Sequence, residues 1–208
     1  MRAGMSYVIG NASQSDYLLM INDDVRFGRD YISTLVRESL ANGGAVVGSA
    51  QRDDLTGERL NGGYRIDYWA MRFVPLDEED EVATVDALPG RGVLFPMRAV
   101  VRAGKVNARL FPHYLGDIEY SARVSESGWK LLVSKAANVF TCSRASDLHV
   151  RSKGAISRYL SFRSRDNLLQ RILFFSVRGP LLLRITAVPR YPLTRIARQI
   201  GRLGRNEG

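Results

Sequence analysis

The sequence predicts an α/β protein: a sheet flanked by helices, with a basic helical segment at its C-terminal end. Two observations carry that expectation. Short apolar runs bounded by polar residues alternate with a stretch at helical spacing, which is the strand, helix, strand rhythm of an α/β sheet. The charge is also divided along the chain. From Val150 onward 13 Lys and Arg side chains face two acidic ones, net +11, whereas the first 149 residues hold 17 basic and 19 acidic, net −2. The overall charge of +9 therefore belongs to the C-terminal segment, and a nearly neutral body argues against a nucleic-acid partner. With 208 residues, 45% hydrophobic and 25% charged, the chain can bury one ordinary core and carry an appendage.

Taken in order, the first element is Tyr17–Ile21, an apolar run that suits a strand buried on both faces and stops at Asn22-Asp23-Asp24. Apolar residues at Tyr31, Ile32, Leu35, Val36 and Leu40 predict a helix over Asp30–Ala41, with Asp30 as its N-cap and Gly43-Gly44 as its stop. Ala45–Gly48 reads as a second buried strand. Residues Gln51–Asp86 are less regular, with a turn at Gly62-Gly63, an aromatic stretch over Tyr64–Val74 and an acidic run at Asp77–Glu81 that reads as a solvated loop. Order returns at Leu88-Pro89-Gly90-Arg91-Gly92, followed by the apolar Val93-Leu94-Phe95. A short helix over Arg98–Ala103 ends at Gly104, and a longer one over Asp117–Ser127 ends at Gly128. Leu131–Val133 and Asn138–Phe140 read as a final strand or strand pair. No internal repeat is present.

The single cysteine, Cys142, excludes an internal disulfide and any multi-cysteine zinc site, so a reducing compartment is the simpler expectation. The N-terminal ten residues have neither a long apolar stretch nor a small-residue cleavage site, so no removable secretion signal is expected.

Two carboxylate clusters carry candidate chemistry. Open α/β sheets bind ligands beyond the carboxyl ends of their strands, and Asn22-Asp23-Asp24 falls at such an end. In an extended chain Asn22 and Asp24 project to one side and Asp23 to the other. Asp24 can then touch a hard cation, Mg2+ or Mn2+, while its neighbours orient sugar or ribose. The same three residues also suit a turn held by side-chain capping, and both readings stand on the residues alone. The second cluster is Gly116-Asp117-Ile118-Glu119. Asp117 reads either as a helix N-cap or as a general base that takes a proton from an acceptor hydroxyl. Glu119, two residues on, cannot share its face and suits a supporting role. Gly90 and Gly92 allow close backbone approach to a ligand, and Arg91 between them can meet phosphate or an acceptor oxygen. His113 and His149 are the only histidines.

Taken together, YLLMINDDV, LPGRGVLFP and LFPHYLGDIEYSARVSESGWKLLV resemble, in order and over roughly Gly4–Phe140, the family-two glycosyltransferases of the GT-A fold. The resemblance implies a GT-A-like (Rossmann-like) mixed sheet flanked by helices, N-terminally incomplete. It would occupy residues 1–149 as a partial glycosyltransferase domain, followed by a basic amphipathic helical tail over 150–208. It implies inverting transfer of a sugar, hexose or deoxyhexose, from a nucleotide-sugar donor with a divalent metal. Asp24 would be the metal carboxylate, with Asn22 and Asp23 completing that motif. Gly90 and Gly92 would line the acceptor side, Asp117 would be the base, and Glu119 and Arg123 would complete the helix motif. His113 matches the histidine of a Pro-His-Tyr segment in one branch of the family. Many relatives carry a histidine after the last strand, where this chain has Thr141-Cys142, and His149 substitutes as a metal ligand only where its loop folds back. The family's front βαβ region, which holds the nucleotide base, has no counterpart in the fifteen residues before Asp16.

In the tail, arginines interrupt the apolar clusters Leu168-Leu169, Ile172–Phe175 and Leu181–Leu183, so no uncharged span is long enough to cross a bilayer. Basic residues beside Phe and Leu suit a helix lying on an anionic membrane surface, where lipid-linked acceptors are found. Packing of the tail on the body is the alternative. Ser164-Arg165-Asp166-Asn167 resembles the Arg-Asn segment that follows the catalytic helix in relatives and favours partial docking. The expected function is therefore sugar transfer to a glycan or lipid-linked acceptor in bacterial cell-surface polysaccharide synthesis, cytoplasmic and peripheral at the inner face of the cell membrane. A non-catalytic remnant that binds membrane or a partner protein is the rival expectation.

Overall fold

Period-two alternation of apolar side chains sets both faces of the central sheet. The computed structural model describes residues 2–76, 83–112, 114–141 and 167–194. Within them the order is α1 (Arg2–Asn11), β1 (Tyr17–Met20), β2 (Val25–Phe27), α2 (Tyr31–Ala41), β3 (Val46–Asp53), β4 (Arg59–Leu60), β5 (Tyr64–Asp67) and β6 (Arg72–Pro75). The chain continues with β7 (Ala83–Thr84), β8 (Val93–Pro96), α3 (Met97–Ala103), α4 (Gly116–Glu126), β9 (Leu131–Thr141), α5 (Leu168–Val177) and α6 (Leu181–Ile185).

The main sheet runs β1-β8-β3-β9-β2, with β4 on β3 and β7 on β9. β3 and β9 are parallel, β8 is antiparallel to both β1 and β3, and β2 is antiparallel to β9, so the sheet is mixed. Leu18, Met20, Val46, Val93, Phe95, Leu131 and Val133 point to the face covered by α1, α3 and α4. Their neighbours Tyr17, Leu19, Val47, Leu94 and Val139 point to the other face, against Tyr31, Leu35 and Val36 of α2. A third cluster joins the β5–β6 hairpin to α4 and the C-terminal segment through Ile66, Phe111, Ile118, Ala122, Phe174 and Phe175.

Several elements differ from the sequence expectation for identifiable reasons. β1 pairs only with β8 among the described residues and is half-buried at Tyr17, Leu18 and Leu19, because it sits at a sheet edge and not at the centre. α2 starts and stops where expected, but Asp30 makes no side-chain cap, and the buried stripe is Tyr31, Thr34, Leu35 and Ser39. Ile32 and Leu40 are exposed. Ser39 turns inward because its hydroxyl donates to the Ala45 carbonyl at 2.6 Å. The Leu131–Val133 and Asn138–Phe140 segments form one strand, and the gap between them is a bulge where the register to β3 shifts after Ser49. α1 escapes the sequence reading because its contacts, Met5, Val8 and Ile9, are diluted by Gly4 and Gly10. The acidic run from Asp77 falls outside the described residues, as do His113, Cys142 and His149.

The C-terminal segment divides its apolar residues between two surroundings. Phe174 and Phe175 of α5 are fully buried and meet edge-on; Phe73 packs edge-on against Phe174 and tilted against Phe175. Burial of each is worth roughly 2–3 kcal/mol. Asn167 starts this helix by accepting the Gln170 N–H at 2.8 Å. Phe174 and Phe175 therefore serve the core, whereas α6 buries none of its residues.

Candidate functional site

Asp117 is the second residue of α4, not its N-cap; that position belongs to Leu115, held left-handed at φ 61°. A bulky residue there costs about 1–2 kcal/mol, and it aims the first turn of the helix at the loop before β8. Two backbone groups fix the half-buried Asp117 carboxylate. Oδ2 accepts the Gly90 N–H at 2.6 Å, and Oδ1 accepts the Ile118 N–H at 2.9 Å. A carboxylate has about four lone-pair sites, so acceptor capacity remains for a ligand hydroxyl. One turn on, Ser121 makes a second clamp on the same loop: its hydroxyl accepts the Leu88 N–H at 2.8 Å and donates to the Leu88 carbonyl at 3.0 Å. Asp117 and Ser121 share a helix face at i, i+4 spacing, the signal by which Ser121 could have been found.

The loop between these clamps reaches β1. A methyl group on Gly90 would lie 3.1 Å from Asp117 Cβ and 3.5 Å from Met20 Sδ, so helix, loop and strand end meet at this glycine. The Gly92 N–H donates to the Met20 carbonyl at 3.1 Å. Gly92 itself is locked at φ 95°, where a side chain would run into Tyr31 Oη and Ser49 Oγ. Those two hydroxyls bond each other at 2.6 Å, and Ser49 donates to the Gly92 carbonyl at 2.8 Å. Burial pushes the Tyr31 pKa up, partly opposed by the Ser49 bond, so the phenol stays neutral in this network. Arg91 is half-buried, with its N–H on the Pro89 carbonyl at 2.8 Å. Tyr31, Ser49 and Met20 were not evident as site supports in the sequence, because their partners lie far away in the chain.

Asn22, Asp23 and Asp24 lie just beyond Met20 and are exposed. Asp23 and Asp24 are in a turn, so strand alternation does not sort their side chains. This turn carries the chain from β1 at one sheet edge to β2 at the other, across the carboxyl end of β3. Among the described residues no cluster of three or more metal-ligating side chains exists. Exposed neighbouring carboxylates, with Asn22 beside them, nevertheless supply the hard oxygens that Mg2+ or Mn2+ takes when water and phosphate complete its shell.

Glu119 faces elsewhere. It is fully buried, and its Oε1 accepts from Arg123 Nε and from an Arg178 guanidinium nitrogen, both at 3.1 Å. Arg178 also binds Glu126 at 2.7 Å, which ties the end of α5 to α4. Arg123 continues to the Ala103 carbonyl and, at 2.9 Å, to the Lys105 carbonyl. Glu119, Arg123 and Arg178, with Lys105, Asn107 and Arg109, line a hollow of about 370 Å³.

No protein-family profile matches the chain, and no curated protein matches it in sequence. Among solved structures, the crystal structure of GalNAc-T7 with UDP, GalNAc and Mn2+ matches with a TM-score of 0.51 at 15% identity. The match covers 68% of this chain and 30% of that one, so the chain spans about a third of the neighbour's length. At that identity the likeness establishes the fold: a mixed α/β sheet flanked by helices, of the GT-A glycosyltransferase type.

Proposed function

We propose that this chain carries the metal and acceptor side of a nucleotide-sugar-dependent, inverting glycosyltransferase. The observation that carries the reading is the convergence at Gly90: the Asp117 carboxylate on its N–H, and the sulfur of Met20, which leads into the acidic turn, 3.5 Å from where a Gly90 methyl group would stand. The GT-A fold supports it, since the structural neighbour was solved with UDP, GalNAc and Mn2+.

In this reading Asp117 takes the proton of the acceptor hydroxyl. The freed oxygen lone pair forms the new bond to the anomeric carbon, while the bond to the nucleoside diphosphate breaks and its electrons leave with the phosphate oxygen. A single positioned carboxylate suits such one-step displacement with inversion. A divalent cation, held by Asp24 with Asp23 and Asn22 beside it, would supply positive charge to the departing diphosphate. Gly90 and Gly92 are proposed to line the acceptor side, and Arg91 offers a cation near it. Glu119 and Arg123, which the resemblance places among the substrate-binding residues, pair with each other, and Glu119 also pairs with Arg178, so in this reading they act from the hollow they line and hold α4 in place. On the resemblance alone, His113 is proposed to contact substrate and His149 to be a metal ligand. The acceptor we propose is a glycan or lipid-linked precursor at the cytoplasmic face of a membrane.

The test is metal-dependent donor binding. Asp24→Ala is expected to weaken Mn2+-dependent binding of a nucleotide sugar at least about tenfold without unfolding the exposed turn. Unchanged metal dependence removes Asp24 from the site. Product stereochemistry read by the anomeric proton coupling tests inversion, and a retained configuration overturns the one-step reading.

A further inference from the structure

We propose that the exposed apolar face formed by α6, the helical residues 187–194 and Trp69 is a contact surface for an anionic lipid bilayer. Leu181, Leu182, Ile185, Val188, Leu193 and Trp69 are each between 62% and 78% exposed. A helix whose sequence is Leu-Leu-Leu-Arg-Ile and which buries nothing in its own chain has its apolar residues turned outward. Behind it, Ala187 and Tyr191 anchor the segment in the core, so the outward face is held by packing and does not arise from a loose end. Trp69 joins the patch from another element. The Arg190 guanidinium lies 5.9 Å from the Trp69 ring centre and donates to the Leu183 carbonyl at 3.0 Å and the Tyr68 carbonyl at 3.2 Å, binding the β5–β6 turn to α6.

Charge selects the occupant. No acidic residue occurs from Asn167 to Asn206, while Arg184 and Arg190, half-buried and bonded to carbonyls of the same chain, interleave with the exposed aliphatic residues and leave the face net positive. A second copy seated symmetrically on this face would set arginine against arginine, whereas anionic headgroups supply the opposite sign. A nucleic acid would answer the arginines but leave the leucines in water. No helix among the described residues is long and apolar enough to cross a membrane, so the segment lies in the interface, where Trp and Leu enter the acyl boundary and Arg stays at headgroup level.

The experiment is sedimentation of the full chain with vesicles of phosphatidylcholine alone or mixed with phosphatidylglycerol, together with tryptophan fluorescence. The expected result is co-sedimentation with the anionic vesicles, weakened by salt, and a blue shift that Trp69→Phe removes. Leu182→Glu with Ile185→Glu is expected to lower the partition coefficient at least about tenfold while leaving thermal unfolding unchanged, since both side chains are exposed. Failure of the unaltered chain to bind anionic vesicles overturns the proposal, as does undiminished binding by the double variant. A concentration-dependent dimer that the double variant abolishes, without vesicle binding, assigns the face to self-association and also overturns it. Vesicle binding does not depend on sugar transfer, so this inference and the transferase reading fail separately.

Discussion

Gly92→Ala examines whether the loop that carries Gly90 is held as rigidly as the hydrogen bonds imply. The new methyl carbon would stand 2.1 Å from Tyr31 Oη and 2.7 Å from Ser49 Oγ, so at least one hydroxyl must move by more than an ångström. That movement breaks the 2.6 Å bond between them and disturbs Tyr31, which is buried and stacked on Phe27 at 4.6 Å. The left-handed backbone at φ 95° adds about 1–2 kcal/mol for any residue with a side chain. With overpacking of about 1–3 kcal/mol the expected loss is about 2–5 kcal/mol. Gly128 supplies an internal control, since it has a matching φ of 98° with nothing within 4 Å of an added methyl, so Gly128→Ala isolates the backbone cost. Urea unfolding followed by tryptophan fluorescence reads both. At about 2 kcal/mol/M the midpoint falls by about 1–2.5 M for Gly92→Ala and by under about 1 M for Gly128→Ala. Adding Tyr31→Phe to Gly92→Ala removes the worst clash and is expected to recover part of the loss non-additively. Equal midpoints for the two alanine variants refute the rigid-loop argument.

Two further outcomes follow from buried groups around α4. Tyr120 has its ring in the core and its hydroxyl without a hydrogen-bond partner among the described residues, and burial pushes its pKa up to about 12. The folded state therefore holds this proton more tightly than the unfolded chain does. The stability it contributes is complete below about pH 10 and is lost between about 10 and 12 as the unfolded tyrosine ionises. Tyr120→Phe is expected to be neutral to about 1 kcal/mol stabilising at neutral pH and to flatten that alkaline loss, both measured by denaturation across pH. Glu119→Gln leaves Arg123 and Arg178 without their shared carboxylate and is expected to cost about 3 kcal/mol in thermal or urea unfolding; a change below about 1 kcal/mol contradicts its structural role.

Helix positions were the most legible part of the fold, because α2, α3 and α4 are each closed by glycines at positive φ that leave a local signature. Burial was less legible. The run Tyr17–Ile21 is apolar enough for a central strand, yet its place at a sheet edge depends on which strands neighbour it, a fact no local pattern contains. β3 extends through Ser49, Gln51 and Asp53, polar residues that hide a buried strand from hydropathy. At the site, Asp117 and Gly90 stand out by motif, but the bond between them spans 27 positions and only the fold closes it. The tail shows the same limit: composition marks it as basic and apolar, and packing alone separates Phe174 and Phe175 in the core from Leu181 and Leu182 at the surface.

Asp117 stands at the centre of the functional reading, and nucleoside diphosphate release from a panel of nucleotide sugars with Mn2+ tests it most directly. The protein is compared with its Asp117→Asn variant after urea unfolding has shown that the two are equally folded. The expected result is metal-dependent, acceptor-stimulated release that falls by about 10²–10⁴-fold in the variant while donor binding persists. Equal release by the two proteins contradicts the assignment of Asp117 as the base.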